Sequence, residues 1–363
     1  MIYLDSAAMH KPKDEVIALV NDILANQWYN PNSVYTNGQN SKQIVNKAKE
    51  IIAKEINCEP NEIIVTSCGS ESNSLATCGY IRANNLDCFV TSTIEHASIS
   101  ENPYGRKLIT VDQYGFFNMD DIRKIHDSLV SIQIANSEIG TIQKDFKEIV
   151  KILHENNCIV HTDAVALFGK KKINVRELGV DMTTATAQKI GGILGCAFLY
   201  VRDGIKLEPL IWGHNTLRGG TPNVAAIGVL GKAIELLDYS STSYNRDYVW
   251  DYIEKNIEDA YVVGADKEHR LVNNIFCCIP GIEGESLQIL LDSQYQICVS
   301  VGSACNSGSL LSSPILTAIG MSDVEAHSCI RITLNGDENI EELDEFCLKL
   351  KECVEMLRRF SKR

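Results

Sequence analysis

Cys158-Ile159-Val160-His161-Thr162-Asp163 and, after a polar interval, Asp181-Met182-Thr183-Thr184-Ala185-Thr186-Ala187-Gln188-Lys189 are the stretch whose reading decides the fold. The β-rich residues predict strands from Cys158 to Thr162 and from Asp181 to Ala185. Asp163 stands at the tip of the first, and Lys189 follows the second. The 26 residues between them (189 minus 163) are enough for one βαβ step. Such a step puts both side chains at neighbouring strand ends, where open α/β sheets bind ligands. A carboxylate at a buried strand tip needs a cationic or hydrogen-bonding partner, and a protonated ring nitrogen or a helix cap would serve. Lys189 precedes Gly191 and Gly192, so it can point into a cleft or lie solvated in a loop. A lysine desolvated beside other cations loses its proton and can form a Schiff base.

The same alternation extends outward. Apolar residues at helical spacing predict helices over Asp14 to Asn26, Ser41 to Ile56, Asp145 to Asn156 and Asn223 to Leu237. Short β-rich runs lie among them at Glu62 to Thr66, Cys88 to Ser92, Leu129 to Ala135 and Cys196 to Val201. This pattern predicts an α/β domain with a mainly parallel sheet covered by helices on both faces. The polar run Asp238 to Arg246 looks like a boundary. Beyond it come strand-like Leu271 to Ile279, helix-like Glu283 to Leu291, strand-like Gln296 to Ser300 and Cys329 to Leu334, and a last helix from Ile340 to Leu357. The expected division is a large domain over 14–245 and a small α+β domain made of 1–13 and 246–363.

Composition narrows the class. The chain has 363 residues, 45% hydrophobic and 22% charged, as in ordinary globular proteins. A net charge of -13 argues against a nucleic-acid-binding surface. No apolar run approaches the roughly 20 residues of a membrane span. Met1-Ile2-Tyr3-Leu4-Asp5 lacks a basic region followed by an apolar stretch, so no signal peptide is expected, and the expected compartment is the cytoplasm. The 13 cysteines show no metal-binding spacing and are expected as reduced thiols. Cys88, Cys158, Cys298 and Cys329 fall in apolar runs and are expected as small core residues. Cys305 differs. Its neighbours, Ser300 to Ser309, are small or polar and include Gly302 and Gly308, a setting for a reachable, nucleophilic thiol or a plain surface one.

Two further strand ends carry candidate chemistry. Ile64 to Asn73 reads as a strand meeting Gly69, Ser70 and Glu71 before a helix, which suits a phosphate or an ordinary helix cap. Ile94-Glu95-His96 places a histidine after a strand. Taken with Asp163 and Lys189, these sites match a pyridoxal 5'-phosphate enzyme, the lysine as Schiff base and the aspartate on the pyridinium nitrogen.

Over essentially its whole length the chain resembles the group I cysteine desulfurases, class V aminotransferase-like enzymes of the fold type I group. Tyr3 to Ala8 resembles their YLDNAA, and Asn30 to Val34 their NPSSVH. Ile64 to Asn73 resembles FTSGGTEAN, Thr91 to Ser98 resembles TSxIEHxS, and Ala135 to Gln143 resembles ANNEIGTIQ. Gly302-Ser303-Ala304-Cys305 is identical to their GSAC, and Ile330-Arg331 resembles part of SIRFSLG.

The resemblance implies a large domain of seven-stranded type and a homodimer. It also implies roles. Lys189 would hold the cofactor and move the Cα proton. Asp163 would keep the pyridine nitrogen protonated, and His96 would stack on the ring. Gly69, Ser70 and Thr186 would bind phosphate, joined by Thr221 of a neighbouring subunit. Asn136 would lie near the phenolic oxygen, and Gln188 beside the lysine. Arg331, with Asn30 nearby, would hold the substrate carboxylate. Cys305 would take sulfur from L-cysteine, leaving L-alanine and a persulfide for a scaffold or carrier protein in iron–sulfur cluster assembly or thiolation.

The departures are specific. Gln188 replaces the family's histidine before the lysine, and Ala166 replaces its glutamine three residues after the aspartate. Ser137 replaces the second Asn of NNE, Gly192 to Gly195 replaces GPKG, and Trp212 to Thr221 is shorter than GGGQERGLRSGT. Selenocysteine lysis, transamination, or a relative that binds without turnover are the alternatives these losses leave open.

Overall fold

The structure, a computed structural model, describes residues 1–213, 216–239, 243–302 and 312–361. Its strands in chain order are β1 Ile2–Tyr3, β2 Ile63–Thr66, β3 Cys88–Ser92, β4 Gly105–Ile109, β5 Leu129–Ser131 and β6 Ile159–Asp163. They continue with β7 Met182–Thr186, β8 Ala197–Val201, β9 Tyr261–Val262, β10 Asn274–Cys278, β11 Ile297–Cys298 and β12 Cys329–Thr333. Seven of them form one sheet in the order β2-β8-β7-β6-β5-β3-β4. It is parallel from β7 through β4, and β8 alone runs antiparallel to both neighbours. The reason for that reversal is short range. Only the turn from Ala187 to Cys196 joins β7 to β8, too little chain for a helical crossover.

β7 and β8 are buried along their whole length. Polar residues inside the sheet are satisfied across strands: His161 contacts Ser131 Oγ at 2.8 Å and Thr184 Oγ1 at 3.0 Å. Burial pushes its imidazole down to about 3, so the ring is neutral beneath the strand ends. The apolar core of this part includes Phe168 and Phe198, edge to face at 5.4 Å, with Ile63, Val160 and Tyr200.

A second apolar cluster gathers around β10 and β12, which pair antiparallel, with β9 on the outer side of β10. Its members include Ile275, Ile330, Phe346 and Leu350, and also Ile2 and Leu4 from the other end of the chain. β1 pairs parallel with β11, and Ser6 N–H donates to the Thr333 carbonyl at 3.1 Å. Among the described residues no helix is long and apolar enough to cross a membrane.

The expected elements differ from the structure mostly at their ends. The helix expected from Ser41 begins at Thr36, and the strand expected to reach Ala135 stops at Ser131. β4 was not legible, because Gly-Arg-Lys-Leu over 105–108 is exposed at the sheet edge and carries no apolar alternation. Of the four cysteines expected in the core, Cys158 and Cys329 are buried and Cys298 is half-buried. Cys88 is exposed: it is the first residue of β3, where the strand is only entering the sheet.

The loop after β5 meets the start of β10 at Gly140. Its φ is +74°, and a Cβ there would overlap the buried Asn274 side chain and lie 3.1 Å from Arg270 Nη1. Gly140→Ala is therefore expected to lower stability by about 2–4 kcal/mol, read as a lower urea midpoint. An unchanged midpoint would show that this junction tolerates a side chain.

Candidate active site

Asp163 ends β6 and is 8% exposed. Its carboxylate accepts from Asn73 Nδ2 at 2.7 Å and from the Val165 N–H at 2.9 Å. Asn73 also donates to Ser98 Oγ at 2.9 Å. Ser98 donates its N–H to His96 Nδ1 at 3.1 Å, which makes that nitrogen an acceptor and aims the exposed ring. Asn73 thus joins Asp163 to His96. It lies within the quoted Ile64 to Asn73 run but had no expected role, because only the fold shows which helix face meets β6.

Gly69 opens a helical run from Gly69 to Ala83 that widens into a π-turn over Leu75–Gly79. A Cβ at Gly69 would lie 2.9 Å from Thr186 Cγ2, so the absent side chain lets the helix start approach the end of β7. Among the described residues Thr186 Oγ1 is buried without a hydrogen-bond partner, and Ser70, next to Gly69 in the chain, is exposed. Glu71 accepts from Arg218 Nε at 2.9 Å and from the Ser67 N–H at 2.7 Å. Burial pushes that carboxyl up, but these bonds outweigh it and hold it below its ordinary value.

Lys189 closes a short turn, Ala187–Lys189, directly after β7. Its Nζ donates to the Ala7 carbonyl and, at 2.7 Å, to the Ala8 carbonyl. Two residues before Ala7, Asp5 accepts from Arg331 Nη2 at 2.9 Å. Arg331 is 8% exposed, reaches the Ser137 carbonyl at 3.4 Å through Nη1, and has no partner at Nε. The N-terminal segment therefore runs between the expected Schiff-base lysine and the expected carboxylate-binding arginine. Gln188 shares the turn, and its Oε1 is buried without a partner.

Other expected residues lie differently. Asn136 uses Oδ1 to accept from the N–H groups of Glu138 and Ile139, at 2.8 and 2.9 Å, and donates to the Ile94 carbonyl at 3.2 Å. That leaves it one amide hydrogen for a ligand. Asn30 is exposed and accepts from the Asn32 N–H at 2.9 Å, and among the described residues no hydrogen bond ties it to this cluster. Thr221 is exposed beside Gly220. Cys305 lies outside the described residues.

Two buried carboxyls escaped the sequence reading because nothing in a sequence shows depth. Burial, helped by the Asp163 charge, raises Glu95 to about 8 against hydrogen bonds from Ser92 and the Gln133 N–H. Burial raises Glu138 to about 7, opposed by Ser313, which donates to Oε2 at 3.0 Å, and by the charge of Arg331. Gly302 packs against the other oxygen of Glu138, Oε1.

These residues fit pyridoxal phosphate. The unpartnered Thr186 hydroxyl and the bare approach at Gly69 suit a phosphate, and Asp163 suits a protonated ring nitrogen.

Comparison with known proteins bears on the same arrangement. The aminotransferase class-V family model matches residues 2–346. A relative from Dictyoglomus turgidum, cysteine desulfurase IscS, is 37% identical over 99% of this chain and 96% of its own length. A solved NifS-like protein superposes with a TM-score of 0.90 at 29% identity, covering 98% of this chain and 99% of the other. A solved structure of SspA in complex with cysteine superposes with a TM-score of 0.80 at 27% identity, covering 93% of this chain and 100% of the other.

Glu138 sets a pH dependence. Its folded value of about 7 lies above the ordinary 4.5, so its contribution to stability is full below pH 4.5 and lost as pH rises through 7. Glu138→Gln is expected to flatten the stability profile between these values, where one such group contributes at most ~1.4 kcal/mol per pH unit. The check is urea unfolding from pH 5 to 8. A wild-type slope retained in the variant would mean that Glu138 is ionised throughout.

Proposed function

This chain belongs to the class-V aminotransferase family, and from that premise we propose that it is a pyridoxal-phosphate-dependent cysteine desulfurase, taking sulfur from L-cysteine and leaving L-alanine. The observation that carries the reading is the convergence of Asp163, Thr186, Gly69 and Lys189 at neighbouring ends of β6, β7 and the 69–83 helical run, with Arg331 tied to Lys189 through residues 5–8. The family match over residues 2–346 and the desulfurase relative at 37% identity support it.

Bound there, pyridoxal phosphate supplies an electron sink for the pair left on the substrate Cα. Thr186, Ser70 and the N–H groups at the start of the 69–83 run would hold its phosphate. Asp163, oriented by Asn73, would keep the ring nitrogen protonated. His96 presents its ring for stacking, and Lys189 would hold the cofactor and carry the Cα proton. Arg331 binds the substrate carboxylate, with Nε still to be satisfied. Cys305 as a thiolate forms an S–S bond to the substrate sulfur. The Cβ–S bond breaks with its electron pair left on carbon, and a proton completes alanine.

The persulfide then passes to an acceptor protein in a reducing cytoplasm, a setting that suits twelve described cysteines that are all free thiols. We assign residues 14–245 to the cofactor-binding domain, and 1–13 with 246–363 to the domain that carries Cys305. The second apolar cluster supports this by joining Ile2 and Leu4 to residues 249–354. A homodimer fits the exposure of Thr221, which would complete the phosphate site of a second copy. Gln188 stands where the family's histidine would, so it would share the ring's surroundings.

Purified protein is expected to absorb visible light from bound cofactor, and Lys189→Ala to abolish that band. Protein that stays colourless after added pyridoxal phosphate overturns the reading. Cys305→Ser is expected to keep the colour and lose at least 100-fold in alanine formation from L-cysteine, as for removal of a covalent nucleophile. Product analysis with selenocysteine and other amino acids separates desulfuration from other reactions on the same site.

A further inference from the structure

The turn that opens the 69–83 run carries a negative charge where a phosphate is expected. Glu71 stands directly after Ser70. Its Oε2 accepts from the Ser67 N–H at 2.7 Å and from the Ser67 hydroxyl, which closes the turn from Ser67 to Glu71. These bonds and the pair with Arg218 hold the carboxyl below its ordinary value, so it is ionised at neutral pH. An anion in the first turn of a helix draws on the same positive dipole end that would attract a phosphate. A phosphate beside an uncancelled carboxylate is repelled.

Arg218 answers that charge. Its Nε donates to the other oxygen, Oε1, at 2.9 Å. The two side chains are 25% and 12% exposed, so solvent screens the pair only in part. Among the described residues no other ion pair engages Glu71. The backbone around Arg218 is itself fixed. Thr216 Oγ1 donates to the Arg218 carbonyl at 2.8 Å, and the Gly219 N–H donates to the Ile211 carbonyl at 2.8 Å. A Cβ at Gly219 would overlap the Trp212 carbonyl, so the chain closes on itself too tightly for a side chain there. The guanidinium is thus presented from an anchored backbone.

We infer that Arg218 is a positioning residue for the cofactor's phosphate: by pairing with Glu71 it cancels the carboxylate at the phosphate-binding turn and keeps it folded back on Ser67. The inference rests on pyridoxal phosphate being the ligand of this site. Arg218 acts through Glu71 and not by touching the phosphate. Its effect therefore falls on the charged part of the cofactor and leaves the ring and aldehyde, assigned to Asp163 and Lys189, largely untouched.

The test compares two ligands that share the ring and the aldehyde. Cofactor-free, full-length protein is titrated with pyridoxal 5'-phosphate and, separately, with pyridoxal, which lacks the phosphate. Both dissociation constants are read from the visible band. Arg218→Met is expected to weaken pyridoxal phosphate about tenfold and pyridoxal by less than about twofold. Adding Glu71→Gln, whose amide oxygen can still accept from Ser67, is expected to bring the double variant back to within about threefold of wild type. An unchanged affinity for pyridoxal phosphate in R218M overturns the proposal. An equal loss for both ligands also overturns it, since a general prop of the fold would give that result. So does a double variant as weak as R218M, the result for an arginine that binds phosphate directly. If R218M does not fold, E71Q alone decides. Pyridoxal phosphate bound at least as tightly as by wild type supports the assignment, and a loss of about threefold or more confined to that ligand overturns it. Wild-type protein that binds neither ligand defeats the cofactor reading itself, an outcome distinct from all of these.

Discussion

The hydrogen bonds from Lys189 to the carbonyls of Ala7 and Ala8 are the contact on which the site depends. Lys189 follows β7 of the large sheet, whereas residues 2–6 pair with β11 and β12 beside the second core. The segment from Asp5 to Ala8 thus spans both sheets within a few residues. One end holds Arg331 and the other holds Lys189. Were the small sheet to shift, the arginine and the lysine would move apart and the site would lose its spacing. Gly140 and Asn274 brace the same junction from another side.

The electrostatics follow one rule. A charge withdrawn from water must be matched or given up. Arg331 is matched by Asp5, and Arg218 by Glu71. His161, Glu95 and Glu138 give up charge instead: burial lowers the imidazole and raises both carboxyls. Asp163 stands between these cases. It accepts two hydrogen bonds, and among the described residues no ion pair engages it. Against a net charge of -13, the site gathers Lys189, Arg331 and Arg218.

Much of this was legible in the chain. The strands around Asp163 and Lys189 announce themselves by β-rich residues, and the helix over Asp14–Asn26 by its spacing. Gly69, Ser70, Thr186, Lys189 and Arg331 could be named because short motifs mark them. The contacts of Asn73, Lys170, Glu138 and Asp5 could not be read, although the quoted runs contain Asn73, Glu138 and Asp5. Each acts on a residue far away in sequence: Asn73 on Asp163, Lys170 on Lys189, Glu138 on Ser313, and Asp5 on Arg331. β4 was invisible for a different reason, since an exposed edge strand has no buried face to impose alternation.

The sequence by itself determined the alternation of strands and helices, the spacing of Asp163 from Lys189, and the family resemblance with its reactive cysteine. Periodicity, turn chemistry and motif are local, so a linear text can carry them. Tertiary structure alone decided that Asp5 rather than a nearer acid holds Arg331, and that Glu95 and Glu138 are buried deeply enough to be raised to about 8 and about 7. It also decided that Lys170 donates to the Lys189 carbonyl. These depend on distance and depth, which arise only when segments separated along the chain pack together.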